Sequence, residues 1–132
     1  MSFLLDTDTC SAFLKKNNAV FSRFVQYGGR LQISVVTLAE LTVWVRRPGA
    51  SPQRAQSLRD LLILAPTIAV DMPVAERFGE VWAQELTLGR LTPDLDLLIA
   101  STALVHGLKL VTHNVQDFAN VPGLQVVDWL AP

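Results

Sequence analysis

Phe3-Leu4-Leu5-Asp6-Thr7-Asp8-Thr9 is the stretch on which the reading of this chain turns. An apolar run of strand type stops abruptly at two acids alternating with two hydroxyl residues, and Cys10 to Leu14 then continue as a helix. Asp6 thus stands at the carboxyl end of a strand. In a parallel α/β sheet that edge is where ligands bind, so an acid there is a functional candidate from the outset. The helix needs one N-terminal cap, and Asp8 or Thr9 is expected to provide it. Asp6 comes too early for that duty, which leaves a site as the better account of it.

Outward from this stretch the chain alternates between strand and helix. Ser11 to Lys16 and Val20 to Tyr27 read as two short helices, the second closed by Gly28-Gly29. Leu31 to Val36 is a second strand, followed by a helix from Thr37 to about Arg46 that Pro48-Gly49 stops. Ser51-Pro52 opens a further helix that runs to Pro66, and Ile68 to Val70 is a short third strand. Asp71-Met72-Pro73 starts a helix with Val74, Phe78, Val81, Trp82 and Leu86 on its apolar face, ending near Gly89. Asp94 to His106 is apolar nearly all round and is expected to lie buried against the sheet. Leu108 to Thr112 and Leu124 to Val127 are the fourth and fifth strands. No linker or repeat divides residues 1–132, and the alternation predicts a single α/β domain. Its central, mostly parallel sheet of four or five strands carries helices on both faces.

Composition narrows the function classes. The single Cys10 cannot pair within the chain and there is no Cys/His cluster of zinc spacing, so a reducing, cytoplasmic setting is expected. No stretch approaches the length of a membrane span, and no signal-like N-terminus is present. A net charge of −1 gives no global attraction to nucleic acid, so any such contact needs a local basic patch. Half of the residues are hydrophobic, which predicts that some apolar surface faces a partner, with a homodimer as the expected assembly.

The acids fall into a pattern once the strands are taken as parallel. Asp6 follows the first strand, Glu40 lies in the helical turn after the second, and Asn114 with Asp117 follow the fourth. Asp96 joins from the first turn of the buried helix, whose Ala100 and Ala103 permit a close approach to the sheet. Singly, each acid has a structural explanation: Thr37-x-x-Glu40 fits a capping box, and Asp94 or Asp96 suits a helix N-terminus. Capping does not require that all of them share one sheet edge. Carboxylates that converge raise one another's pKa and call for a cation. With oxygen ligands only, that cation is Mg²⁺ or Mn²⁺, which can activate water and steady a phosphate. Phosphodiester hydrolysis is the chemistry implied.

These residues carry a resemblance. Leu5-Asp6-Thr7, Val36-Thr37-Leu38-Ala39-Glu40-Leu41, Asp96-Leu97-Leu98-Ile99-Ala100, Leu110-Val111-Thr112-His113-Asn114 with Asp117-Phe118, and Gly123-Leu124 to Asp128-Trp129 follow one another over essentially the whole chain. In that order they resemble the PIN-domain ribonucleases, and in particular the VapC toxins of bacterial toxin–antitoxin modules. The resemblance implies a PIN-like three-layer fold and Mg²⁺-dependent endonuclease activity on RNA. It further implies a cognate antitoxin as partner, Asp6 and Asp96 as metal ligands, and Glu40 as a third acid orienting metal or water. Two positions depart from the pattern: Asp8 stands where these toxins commonly carry Asn, and Asn114 where many PIN domains carry a fourth Asp after the strand's Thr112. Asp117 or Asp94 is then the candidate fourth carboxylate.

Arg46, Arg47, Arg54 and Arg59 precede Asp60 without an intervening acid, and are expected to contact RNA phosphates or an acidic part of the antitoxin. His113 is a weaker candidate for substrate contact. Two alternatives are a haloacid-dehalogenase-like phosphatase with Asp6 as nucleophile, in which Glu40 has no role, and a non-catalytic RNA- or protein-binding module.

Overall fold

The computed structural model describes all 132 residues. β1 (Phe3–Leu5) leads directly into α1 (Thr7–Leu14), and α2 (Asn18–Gln26) follows. β2 (Leu31–Ser34) leads as directly into α3 (Val35–Arg46), then come α4 (Gln53–Leu64), β3 (Thr67–Ile68), α5 (Met72–Leu88) and α6 (Asp94–His106). β4 (Lys109–Val111), a 3-10 turn at Val115–Phe118 and β5 (Val126–Val127) complete the chain.

The strands form one sheet in the order β3-β2-β1-β4-β5, and every neighbouring pair is parallel. Because successive side chains of a strand point to opposite faces, the sheet feeds two cores. Phe3, Leu5, Leu31, Ile33 and Val111 pack under α1, α2 and α4 through Cys10, Val20, Phe24, Leu58 and Leu61. Leu4 and Leu110 pack on the other face with Val81 of α5 and Leu97, Ile99, Ala100 and Ala103 of α6. The result is the expected three-layer arrangement with helices on both faces. Trp129 seals the first core near the C-terminus, with ring centroids 5.4 Å from Phe3 and 5.9 Å from Tyr27.

The helix starts differ from those the sequence suggested. The cap of α1 is Asp6 itself: its backbone is extended (φ −73°, ψ 162°) and its carboxylate accepts the Thr7 amide at 2.8 Å. Ser34 does the same for α3, accepting the Val36 amide at 3.0 Å. No capping box joins Thr37 and Glu40, and Glu40 lies in the second turn. In both places strand passes into helix without a loop, so the residue after the last strand position, or that position itself, must serve as cap. The apolar face expected of α5 also narrows, since Val74 and Val81 are buried but Trp82 and Leu86 are exposed. At that stage of the helix the buried position belongs instead to Glu85.

Candidate active site

The chain leaves β1 to build one side of the sheet and returns through β4 to build the other. Such a reversal opens a crevice at the carboxyl ends of the two central strands. Asp6 follows β1 and Thr112 follows β4, so both stand at its floor. The Asp6 amide donates to the Val111 carbonyl at 2.9 Å, which locks the two strand ends together. The Thr112 hydroxyl donates to Asp6 Oδ2 at 2.7 Å and lies 3.4 Å from Asp8 Oδ2. One turn of helix thus presents Asp6 and Asp8 to the same hydroxyl.

Thr7, between them, faces the other way. Its hydroxyl donates to Glu40 Oε1 at 2.7 Å and lies 3.2 Å from the buried Thr37 hydroxyl. Since the Thr7 amide is held by Asp6, this one residue ties Glu40 to the cap of α1. Asp96 enters from α6, where Thr92 and the Glu85 carboxylate fix the preceding turn through contacts of 2.8 and 2.6 Å. The small buried Ala100 and Ala103 let α6 lie close against the sheet.

Charge is crowded here. Asp6 is 4% exposed, and its pKa rises from an ordinary 3.8 to about 7. Burial is the main cause; the Thr112 hydrogen bond opposes it, Asp8 adds to it, the Thr7 amide opposes it, and Asp96 adds the least. Asp96 also titrates above the usual carboxylate range, first through burial and then through the charges of Asp117, Glu40 and Asp8. The charges of Asp8, Glu40 and Asp117, from three segments, thus bear on Asp6, on Asp96 or on both. The Cys10 thiol beneath them is fully buried and pushed up by desolvation and by Asp6 and Asp8, so it offers no nucleophile.

No three of these side chains are spaced to enclose one ion. Hydroxyl groups separate them: Thr112 stands between Asp6 and Asp8, and Thr7 beside Glu40. Convergence of three or four carboxylates on a single point, as the sequence suggested, is not what the geometry provides. A site of this kind suits a hard cation that keeps several waters and takes one or two carboxylates, rather than an all-protein cage. The all-oxygen donor set, with Asp6 and Asp96 both held above the usual carboxylate range, fits such an ion.

The remaining expected residues divide. Asp117 is exposed in the 3-10 turn, but its charge reaches Asp96. Asp94 is exposed at the start of α6 and is not among the acids whose charge reaches Asp6 or Asp96. Asn114 contributes a backbone amide to Thr112 Oγ1 at 3.1 Å. Arg46 and Arg47 are exposed at the end of α3. Arg54 is occupied within the chain, with its guanidinium 5.0 Å from the centre of the Trp44 ring and a 3.0 Å bond to the Trp44 carbonyl. Thr7 and Thr37 were missed from sequence, because a hydroxyl that positions an acid across two helices leaves no mark in local spacing.

The PIN domain family matches residues 3–124. A tRNA(fMet)-specific endonuclease VapC from Shigella flexneri is 30% identical over 98% of both chains. A ribonuclease VapC1 from Haemophilus influenzae is 31% identical, again over 98% of both. In the crystal structure of DNA-bound VapBC from Salmonella typhimurium, a chain 28% identical superposes with a TM-score of 0.92 over 98% of each chain. The chain belongs to the PIN domain family, within its VapC ribonucleases.

Proposed function

We propose that the Asp6–Asp96 crevice hydrolyses RNA phosphodiester bonds with Mg²⁺ as its natural metal and Mn²⁺ as a working substitute. The observation that carries this reading is the crowding of Asp6 and Asp96, both shifted upward, with Asp8, Glu40 and Asp117 at one sheet edge. Ribonucleases with a PIN domain depend on a divalent metal. When bound, that ion lowers the pKa of water and offsets negative charge on the phosphate. Asp6 and Asp96 would hold it. Thr112 and the Thr7 amide fix both oxygens of Asp6, so its carboxylate cannot rotate away. Glu40 spends Oε1 on Thr7, which leaves Oε2 to orient the attacking water and accept its proton. Asp8 and Asp117 deepen the negative field and are the positions from which a second ion would be approached.

The chain is a toxin-type endoribonuclease with a cognate antitoxin as partner. Relatives named for tRNA(fMet) make that tRNA the first substrate to test. Phe13, Leu14, Phe21 and Leu64 line a groove of about 450 Å³ on the first face, with Lys16 and Asp60 at its rim, and this is where an antitoxin segment would lie. Trp82 and Leu86, exposed one turn apart on α5, leave an apolar face that suits a second copy of the chain. No helix is long and apolar enough to cross a membrane. The one free thiol fits a reducing cytoplasm.

Purified protein incubated with total RNA in Mg²⁺ or in EDTA tests the reading. Site-specific cleavage should appear with Mg²⁺ and vanish with EDTA. Metal-independent cleavage, or a phosphate trapped covalently on Asp6, would replace it with another mechanism. The phosphatase alternative leaves Glu40 idle, whereas Thr7 joins Glu40 to Asp6.

A further inference from the structure

His113 stands beside the crevice and is not needed for its acid chemistry. Its backbone amide donates to Asp8 Oδ2 at 2.9 Å, so the residue is pinned to the acid cluster through its main chain. Its ring is held separately: Nδ1 lies 3.0 Å from Asp128 Oδ2 and 3.3 Å from Oδ1. Asp128 follows β5 and is fixed in turn by the Leu130 amide at 2.8 Å. The carboxylate is the better shielded partner, with 17% of its side chain exposed against 57% for the imidazole. A side chain that is half in solvent would ordinarily be free to rotate, and this one has been given an orienting group.

The chemistry of the free nitrogen follows from that pairing. A carboxylate only accepts, so the hydrogen between the two belongs to Nδ1, and Nε2 is the nitrogen left to face outward. On a neutral ring Nε2 accepts a hydrogen bond; on a charged ring it donates one. A phosphate oxygen only accepts and would match the charged ring alone. A ribose 2′-hydroxyl both donates and accepts, so it matches Nε2 in either state. With its amide on Asp8, the ring is within one side-chain length of the acids on which the scissile phosphodiester must sit. The adjoining ribose lies within that distance of a bound phosphodiester.

We propose that His113, oriented by Asp128, reads the 2′-hydroxyl of a ribose adjoining the scissile phosphate and so helps this site tell RNA from DNA. The proposal rests on the ribonuclease reading of the crevice. His113 is then a specificity residue that touches substrate, and Asp128 a positioning residue that acts through it.

The test uses the full chain and an RNA oligonucleotide carrying a cleavage site mapped with the wild type, remade with a single 2′-deoxy or 2′-fluoro sugar at each flanking position. At one position the deoxy sugar should lower kcat/KM of the wild type about tenfold, the scale of one lost hydrogen bond. His113→Ala should show a similar loss on all-ribose substrate and no further loss at that position, with an unchanged melting temperature because the ring is exposed. Asp128→Asn should weaken the same sugar dependence in part. His113→Ala retaining the full deoxy penalty, or a wild type indifferent to every single sugar change, overturns the proposal. A loss in His113→Ala that lowers the salt dependence of binding and ignores the sugar assigns the ring to a phosphate and overturns it as well. Absence of any RNA cleavage by the wild type with Mg²⁺ or Mn²⁺ removes the ribonuclease reading itself, a distinguishable failure.

Discussion

Glu85 on α5 and Asp6 after β1 are almost equally hidden, 1% and 4% exposed, and each carboxylate accepts two short hydrogen bonds. Their surroundings differ in kind. Both donors to Glu85 come from Thr92, at 2.8 and 2.6 Å, while its own carbonyl accepts the Arg90 amide at 3.1 Å. The whole turn from α5 to α6 is gathered onto this one residue. The donors to Asp6 come from two different segments, and one of them, Thr112, also stands beside Asp8. Burial lifts the Asp6 pKa to about 7, and the charges of Asp8 and Asp96 add to that rise. A buried carboxylate served by donors and left alone is a fastener; one placed among other carboxylates stores unfavourable charge, which a cation can relieve.

Removing the charge at each place separates the two roles most sharply. Loss of a group that merely supports a metal ligand already lowers affinity or activity by about 10–100-fold, so Asp6→Asn and Asp96→Asn should each lose more than about 100-fold in RNA cleavage. Their thermal stability without metal should match or exceed that of the wild type. Cleavage assays beside melting curves on the same preparations check both halves, and full activity in either variant would end the site assignment.

The next effect is on stability against pH. Asp6 titrates near 3.8 when unfolded and near 7 when folded, so the native state binds the extra proton. Stability should be greatest below about pH 4, fall as pH rises towards 7, and then level off, a change on the order of 4 kcal/mol. Asp96 acts in the same direction. Urea unfolding at a series of pH values in EDTA measures the slope, which should shrink in Asp6→Asn. Divalent metal should restore stability at neutral pH. A flat profile would mean that the crowding of acids is relieved within the protein.

Glu85→Ala should do the reverse of Asp6→Asn. It strands the buried Thr92 amide and hydroxyl, at about 1–3 kcal/mol for each unsatisfied group. The melting temperature should fall by roughly 10 °C, while the protein that stays folded retains its pH slope and its metal requirement. An active-site loss greater than the loss of folded protein would show that the turn tunes Asp96 directly.

The smallest effect lies outside both carboxylates. Arg46→Gln and Arg47→Gln should weaken binding of every RNA by similar factors and lower the log–log salt slope by about 0.7 per lost phosphate contact, with cleavage sites unchanged. Arg54→Gln should behave differently, since that guanidinium is held by Trp44. Its expected effect is on the packing of α4 against α3. Loss of antitoxin binding with an unchanged salt slope in the first two variants would move them to the protein interface.

The alternation of apolar runs with helical stretches was enough to establish a parallel α/β sheet, because burial on both faces leaves a pattern in consecutive residues. The positions of Asp6, Glu40, Asp96 and Asp117 were legible for the same reason: each follows a strand end or a helix start, and parallel strands send those to one edge. What local pattern could not show was how the chain turns there. Whether a loop separates β1 from α1 is decided by where the strand meets its neighbours, so Asp6 proved to be a cap as well as an acid. The role of Thr7, the pairing of His113 with Asp128, and the fastening of Glu85 to Thr92 all depend on side-chain directions across separate elements. Hydrogen bonds act over about 3 Å, and residues 33 or 106 positions apart reach that distance only after the core has set the elements against each other.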